Sequence, residues 1–153
     1  MISNKIIQRM HCGEVALGLE MSFYSDDLVE LAGLMGLDYV HYDGQHGPIT
    51  PETIDRFCRM SDGYGLTPSM RVPDHQAGNI LNYIDRGIRS ITAPITETKE
   101  HAEALVKACF FAPMGLRSFT GQRILRYGLG GDSKSVMEDT NKNFLLVPQL
   151  ETI

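Results

Sequence analysis

The chain carries its chemically useful side chains in short clusters. Asp43 and His46 lie three residues apart in Asp43-Gly-Gln-His-Gly-Pro48, where two glycines and a proline forbid continued regular structure. On such a turn a carboxylate comes within hydrogen-bond reach of an imidazole, which fixes the tautomer and makes the other ring nitrogen a better base. Arg71, in Met70-Arg71-Val72-Pro73, is a cation suited to a carboxylate or a developing oxyanion. Gln149 and Glu151 alternate in Pro148-Gln149-Leu150-Glu151, and a carboxylate there can hold a divalent metal ion. A base with its orienting carboxylate, a guanidinium and a metal-binding carboxylate are the parts of a site that removes a proton and stabilises the anion left behind. His11, His41, His75 and His101 have no such pattern and are expected to be structural or solvated.

The segments between these clusters must position them. Strands are predicted to start near residues 15, 38, 67, 88 and 144, the first running to residue 23 and the last to 151. The first strand, Val-Ala-Leu-Gly-Leu-Glu-Met-Ser-Phe, reads as buried on both faces. A short helix over residues 2–11 precedes it. Ser25 caps a helix with Leu28, Leu31, Ala32 and Met35 as its stripe, ended by Gly36. Thr50-Pro51-Glu52 starts the next, with Ile54, Phe57 and Cys58 buried. Asp74 is the predicted cap of a helix burying Ala77, Ile80, Leu81 and Ile84. A further helix begins near Thr96 or Thr98 and buries Ala102, Leu105, Val106 and Cys109. Beyond Pro113 the pattern gives way to a long loop and a short helix from Asp132.

Strands alternating with amphipathic helices imply parallel strands with right-handed crossovers. Five strands fit an open doubly wound sheet or five-eighths of a (βα)8 barrel. Two features favour the barrel: no glycine-rich phosphate turn follows the first strand, and Asp43, His46, Arg71, Gln149 and Glu151 all fall at the C-terminal ends of strands. The 153 residues are read as a single domain or part of a larger one. A net charge of −5 without a basic cluster argues against a nucleic-acid surface, and no apolar run is long enough for a signal peptide or a membrane span. Three widely spaced cysteines fit reduced thiols, so a cytoplasmic location is expected.

Five ordered motifs resemble those of the HpcH/HpaI aldolases. They are Gly-Leu-Asp-Tyr-Val-His-Tyr-Asp-Gly-Gln-His-Gly-Pro, Arg-Val-Pro, Asp-Arg-Gly-Ile-Arg-Ser-Ile-Thr-Ala-Pro, Gly-Leu-Arg-Ser and Pro-Gln-Leu-Glu-Thr, running from about residue 12 to the last residue. The resemblance implies a class II, metal-dependent pyruvate aldolase of the 2,4-dihydroxyhept-2-ene-1,7-dioate or 2-keto-3-deoxy-sugar-acid type. It implies a truncated (βα)8 TIM barrel, lacking strands six to eight. His46 would be the general base, oriented by Asp43. Arg71 would grip the pyruvate or enolate oxygen, Gln149 would lie near substrate and metal, and Glu151 would be the first metal carboxylate. The family takes its second metal carboxylate, an aspartate, from the end of strand six, and commonly has Arg-Gly where Arg117-Ser118 stands here.

The implied reaction is reversible retro-aldol cleavage of a 2-keto-4-hydroxy acid to pyruvate and an aldehyde through a metal-bound enolate, with Mg²⁺, Mn²⁺ or Co²⁺ as the ion. Two other readings are kept. One is a catalytically inactive truncated homologue that associates with another chain through its open sheet edge, so a homo-oligomer is expected. The other is a lyase of the citrate-lyase β type acting on acyl-CoA esters. Glu151, near a chain terminus and on an unpaired strand, is expected to be poorly held.

Overall fold

Hydroxyl and short polar side chains begin the helices largely where the sequence places them. The structure, a computed structural model, describes residues 3–121 and 123–152, so the start of the first predicted helix at Ile2 lies outside the described residues. The helices are α1 (Lys5–His11), α2 (Asp26–Leu34), α3 (Pro51–Gly63), α4 (Ala77–Arg86), α5 (Lys99–Cys109) and α6 (Ser133–Lys142), with a 3₁₀ segment over Arg123–Gly128. Asn4, Ser25, Thr50, Thr98 and Asp132 each accept a first-turn N–H. At α4 the cap position falls to Gln76. Asp74, two residues earlier, still lays its carboxylate across the helix start, accepting from the Gln76 N–H at 2.8 Å and the Asn79 amide at 2.8 Å.

The strands β1 (Gly18–Met21), β2 (Tyr39–Asp43), β3 (Thr67–Arg71), β4 (Ser90–Ala93) and β5 (Leu145–Pro148) form one sheet in the order 1-2-3-4-5. Every neighbouring pair is parallel. Spatial order equal to chain order, with no switch point, is the wall of a (βα)8 barrel and not a doubly wound sheet. Strand alternation then sorts the side chains. Val40, Tyr42, Met70 and Ile91 are fully buried among Phe57, Ile80, Ile84 and Leu105. The opposite, inward face carries Glu20, His41, Ser69 and Ser90 in one register row, and Asp43, Arg71, Thr92 and Val147 in a row nearer the C-terminal ends. Among the described residues no helix is long and apolar enough to cross a membrane.

Three expectations about burial change, one of them at Ala77, which opens α4 exposed where the predicted stripe would bury it. The first strand is shorter than predicted and is not buried on both faces: Val15 and Leu17 are 78% and 61% exposed, and only Met21 in β1 is buried. As an edge strand β1 pairs with β2 alone, and among the described residues no strand pairs with its other edge. On α2 the buried residues are Val29 and Ala32, whereas Leu31 and Met35 are exposed. The helix lies beside that same edge, so its contact face is narrower than a four-residue stripe.

The N-terminal ends of the strands are closed by buried polar groups. Asn4 accepts from the N–H groups of Ile6 and Ile7 and donates to the carbonyl of Arg89 at 2.9 Å and that of Asn143 at 3.2 Å. The Arg89 guanidinium donates to Asp62 at 2.6 Å and to the Leu66 carbonyl at 2.9 Å. Replacing Asn4 by Ala removes a helix cap together with the amide's hydrogen bonds to the Arg89 and Asn143 carbonyls. The expected loss is about 2 kcal/mol of unfolding free energy, measurable by urea denaturation; a loss below about 0.5 kcal/mol would show that α1 is not a structural tie.

Candidate active site

The stretch after β2 is shaped by one carboxylate. Asp43 Oδ1 accepts the backbone N–H groups of Gln45 at 3.1 Å and His46 at 3.3 Å, and the Asp43 carbonyl accepts from the Gly47 N–H at 3.0 Å. The turn therefore folds back over the strand end, and this is why it needs glycine. A Cβ on Gly44 would lie 2.3 Å from Met70 Cε and 2.8 Å from the Arg71 carbonyl oxygen. One on Gly47 would lie 2.4 Å from the Ser22 carbonyl oxygen.

Asp43 also takes the Arg71 guanidinium in a two-pronged grip, with Nε to Oδ1 at 2.9 Å and Nη2 to Oδ2 at 2.6 Å. The two residues face each other in the β2–β3 register. Asp43 is buried, and the Arg71 side chain is 19% exposed. The guanidinium, with the two backbone donors, lowers the Asp43 pKa to about 2, while Asp43 raises that of Arg71. This differs from the expected arrangement: Asp43 holds the main chain of His46 and not its imidazole. Both of its oxygens are already engaged, and the cross-strand partner fits its geometry better than a ring three residues along. The His46 side chain is exposed and its ring has no hydrogen-bond partner among the described residues.

Gln149 and Glu151 continue the inward parity of β5 beyond its last paired residue. Glu151 is exposed but tied down, contrary to the expectation for a chain end. Oε1 accepts from the Ile95 N–H at 2.8 Å and Oε2 from Gln149 Nε2 at 2.8 Å. The main chain beneath is clamped by Gln149 N–H to the Ala93 carbonyl at 2.8 Å and Thr96 N–H to the Gln149 carbonyl at 3.1 Å. Gln149 Oε1 is buried and accepts no hydrogen bond among the described residues. No group of three or more His, Cys, Asp or Glu able to hold a metal occurs among the described residues.

Sequence reasoning missed Ile95. Its backbone is left-handed, with φ of 51°, although it is β-branched. That conformation belongs to the segment donating to Glu151, and nothing in Ala93-Pro-Ile-Thr96 signals it. One row deeper, His41 Nδ1 lies 2.8 Å from Ser69 Oγ, and burial pushes the imidazole pKa down, with Glu20 opposing the shift.

The profile of the HpcH/HpaI aldolase/citrate lyase family matches residues 20–153. A 4-hydroxy-2-oxovalerate aldolase of Novosphingobium aromaticivorans is 29% identical over 141 residues, covering 92% of this chain and 53% of its own. A hydroxypyruvate/pyruvate aldolase of Sagittula stellata is 29% identical over 150 residues, covering 97% and 58%. Among solved structures, an HpcH/HpaI aldolase/citrate lyase family protein from Burkholderia cenocepacia superposes with a TM-score of 0.86 at 26% identity, covering 98% of this chain and 60% of that one. The chain thus spans little more than half the length of the curated relatives it matches.

The depressed Asp43 pKa links the site to acid stability. Its folded value, about 2, lies below the unfolded value of about 3.9. The pair therefore contributes fully above pH 4, and its contribution is lost as pH falls toward 2. Asp43→Asn should flatten the stability profile between about pH 4 and pH 2. Urea midpoints that fall as steeply in the variant as in the wild type across that window would assign the acid sensitivity elsewhere.

Proposed function

The chain belongs to the HpcH/HpaI aldolase/citrate lyase family, and from that premise we propose that its strand ends serve reversible aldol cleavage of a 2-keto-4-hydroxy acid to pyruvate and an aldehyde. The observation that carries this reading is the Asp43–Arg71 pair set in register at the mouth, with His46 on the loop that Asp43 organises.

Arg71 Nε and Nη2 are held by Asp43, which leaves Nη1 without a protein partner among the described residues. That edge is the donor for the keto-acid carboxylate or the enolate oxygen, and Asp43 fixes its direction. His46, exposed and with both ring nitrogens unengaged, takes the methyl proton of pyruvate in the condensation direction, or the hydroxyl proton in cleavage. Asp43 acts on His46 through the backbone, by fixing the loop that presents it.

The oxygen donors fit a divalent cation such as Mg²⁺, Mn²⁺ or Co²⁺. Glu151 would hold it with the unclaimed Gln149 amide oxygen, the remaining positions going to water and substrate oxygens. Such an ion supplies Lewis-acid stabilisation of enolate charge.

If His46 is the base, exchange of pyruvate methyl protons for deuterium, followed by proton NMR with Mg²⁺ present, should fall about 10²- to 10⁴-fold in His46→Ala. Exchange in the variant within about threefold of wild type would remove His46 from the mechanism.

A second reading draws on the uncovered flank. Val15, Leu17, Leu34 and Met35 are all exposed on or beside the segments flanking β1, whose outer hydrogen-bonding edge is open. We propose that this edge associates with a second copy, in a form without catalysis. Leu17→Lys should then shift the sedimenting species toward monomer; a wild-type chain that is already monomeric at micromolar concentration would sink this reading.

A further inference from the structure

The peptide group between Pro94 and Ile95 is hydrogen-bonded at both ends. Its N–H, on Ile95, donates to Glu151 Oε1 at 2.8 Å. Its carbonyl oxygen, on Pro94, meets Nε2 of His75, a half-buried residue on the loop after β3. A carbonyl oxygen can only accept, so His75 Nε2 carries a proton and donates it. A peptide group is planar, and fixing the direction of its C=O fixes the direction of its N–H. The imidazole, the peptide and the Glu151 carboxylate thus form one chain of hydrogen bonds, in which each bond polarises the next.

This peptide needs such a hold. Ile95 is left-handed, with φ of 51°. Rotating the peptide by about half a turn would return Ile95 to the extended region and point its N–H away from Glu151. The neighbouring bonds clamp the residues on either side: Gln149 N–H and Thr96 Oγ1 to the Ala93 carbonyl, and Thr96 N–H to the Gln149 carbonyl. Among the described residues only His75 and Glu151 bond to the Pro94–Ile95 peptide itself. The His75 ring is itself braced. His101, on the first turn of α5, packs edge-on against it at 5.7 Å and 77°, and His101 Nδ1 accepts the Glu97 N–H at 3.4 Å.

Resting on the aldolase reading above, we propose that His75 is a positioning residue for Glu151, aiming through the Pro94–Ile95 peptide the carboxylate that would hold the divalent cation. His101 keeps the His75 ring in the plane that this requires. His75 sits four residues beyond Arg71, so the same loop that leaves the cation of the site also braces its metal carboxylate.

Solution NMR on the full chain, with Mn²⁺ as a paramagnetic probe, tests this with two variants. His75→Leu keeps bulk and removes the donor, whereas His75→Gln keeps an N–H donor. In His75→Leu the Ile95 amide should exchange with solvent at least about tenfold faster, while amides of β2 and β3 change by less than about threefold. The Mn²⁺ concentration that half-broadens the Gln149 and Glu151 side-chain signals should rise at least about fivefold, as when a metal ligand loses its supporting partner. His75→Gln should return both quantities to within about twofold of wild type. Unchanged Ile95 exchange in His75→Leu overturns the inference, as does faster exchange shared equally by β2 and β3. Faster Ile95 exchange with an unchanged Mn²⁺ response reduces His75 to a tie between loops and overturns it too, leaving the aldolase reading standing. A glutamine that behaves like leucine removes the donated hydrogen bond as the cause and overturns it likewise. Wild-type Gln149 and Glu151 signals that stay sharp in Mn²⁺ overturn the metal role of Glu151 in the aldolase reading, and the inference with it.

Discussion

The ion pair between Asp43 and Arg71 is the constraint on which the mouth of this sheet depends. A buried carboxylate is tolerated only when its lone pairs are filled, and Asp43 fills them with two guanidinium donors and two backbone N–H groups. Each of those bonds fixes something else. The fork directs the remaining edge of Arg71, the backbone bonds curl the loop that carries His46, and the curl forces glycine at 44 and 47. One side chain thus decides the direction of the cation, the path of the loop and the residue types the loop tolerates. An arginine is required for this and a lysine is not equivalent, because only the planar fork can meet both carboxylate oxygens and still present a third nitrogen.

Placing that pair requires a division of labour between the two faces of the sheet. The core lies outside it, where Val40, Tyr42, Met70 and Ile91 meet the helices. The inner face contributes little apolar burial. Its row of Glu20, His41, Ser69 and Ser90 is polar, and its members lie around a concave space of about 400 Å³. Stability resting on the outer layer leaves the inner positions free for chemistry. The buried Arg89–Asp62 contact and the Asn4 cap at the opposite end of the strands hold the frame without involving the mouth.

Much of this was legible in the sequence because it is local. Caps at Ser25, Thr50, Thr98 and Asp132, the glycine stops at 36 and 87, and the alternation of strand and helix all act within a turn or two. What escaped was long-range or edge-dependent. The partner of Asp43 was sought three residues along, at the His46 ring, whereas strand register supplied Arg71 from 28 residues away. Val15 and Leu17 are as apolar as interior strand residues, and only the topology reveals that they border an edge. For Asp74, the carboxylate interacts with the predicted helix start, but the helix begins later than proximity suggested.

Ile95 shows why strain cannot be read from residue type. A β-branched residue in the left-handed region costs on the order of 1–3 kcal/mol, and local preference alone would place glycine or asparagine there. The conformation is imposed from both sides. Ala93 accepts from the Gln149 N–H and the Thr96 hydroxyl, and Thr96 donates its N–H to Gln149, so the turn between them has little freedom. Within it the Ile95 N–H meets the Glu151 carboxylate, which would otherwise hang beyond the last paired strand residue. The strained turn and the ordered carboxylate are therefore one feature: the hydrogen bonds that over-determine the first are the bonds that position the second.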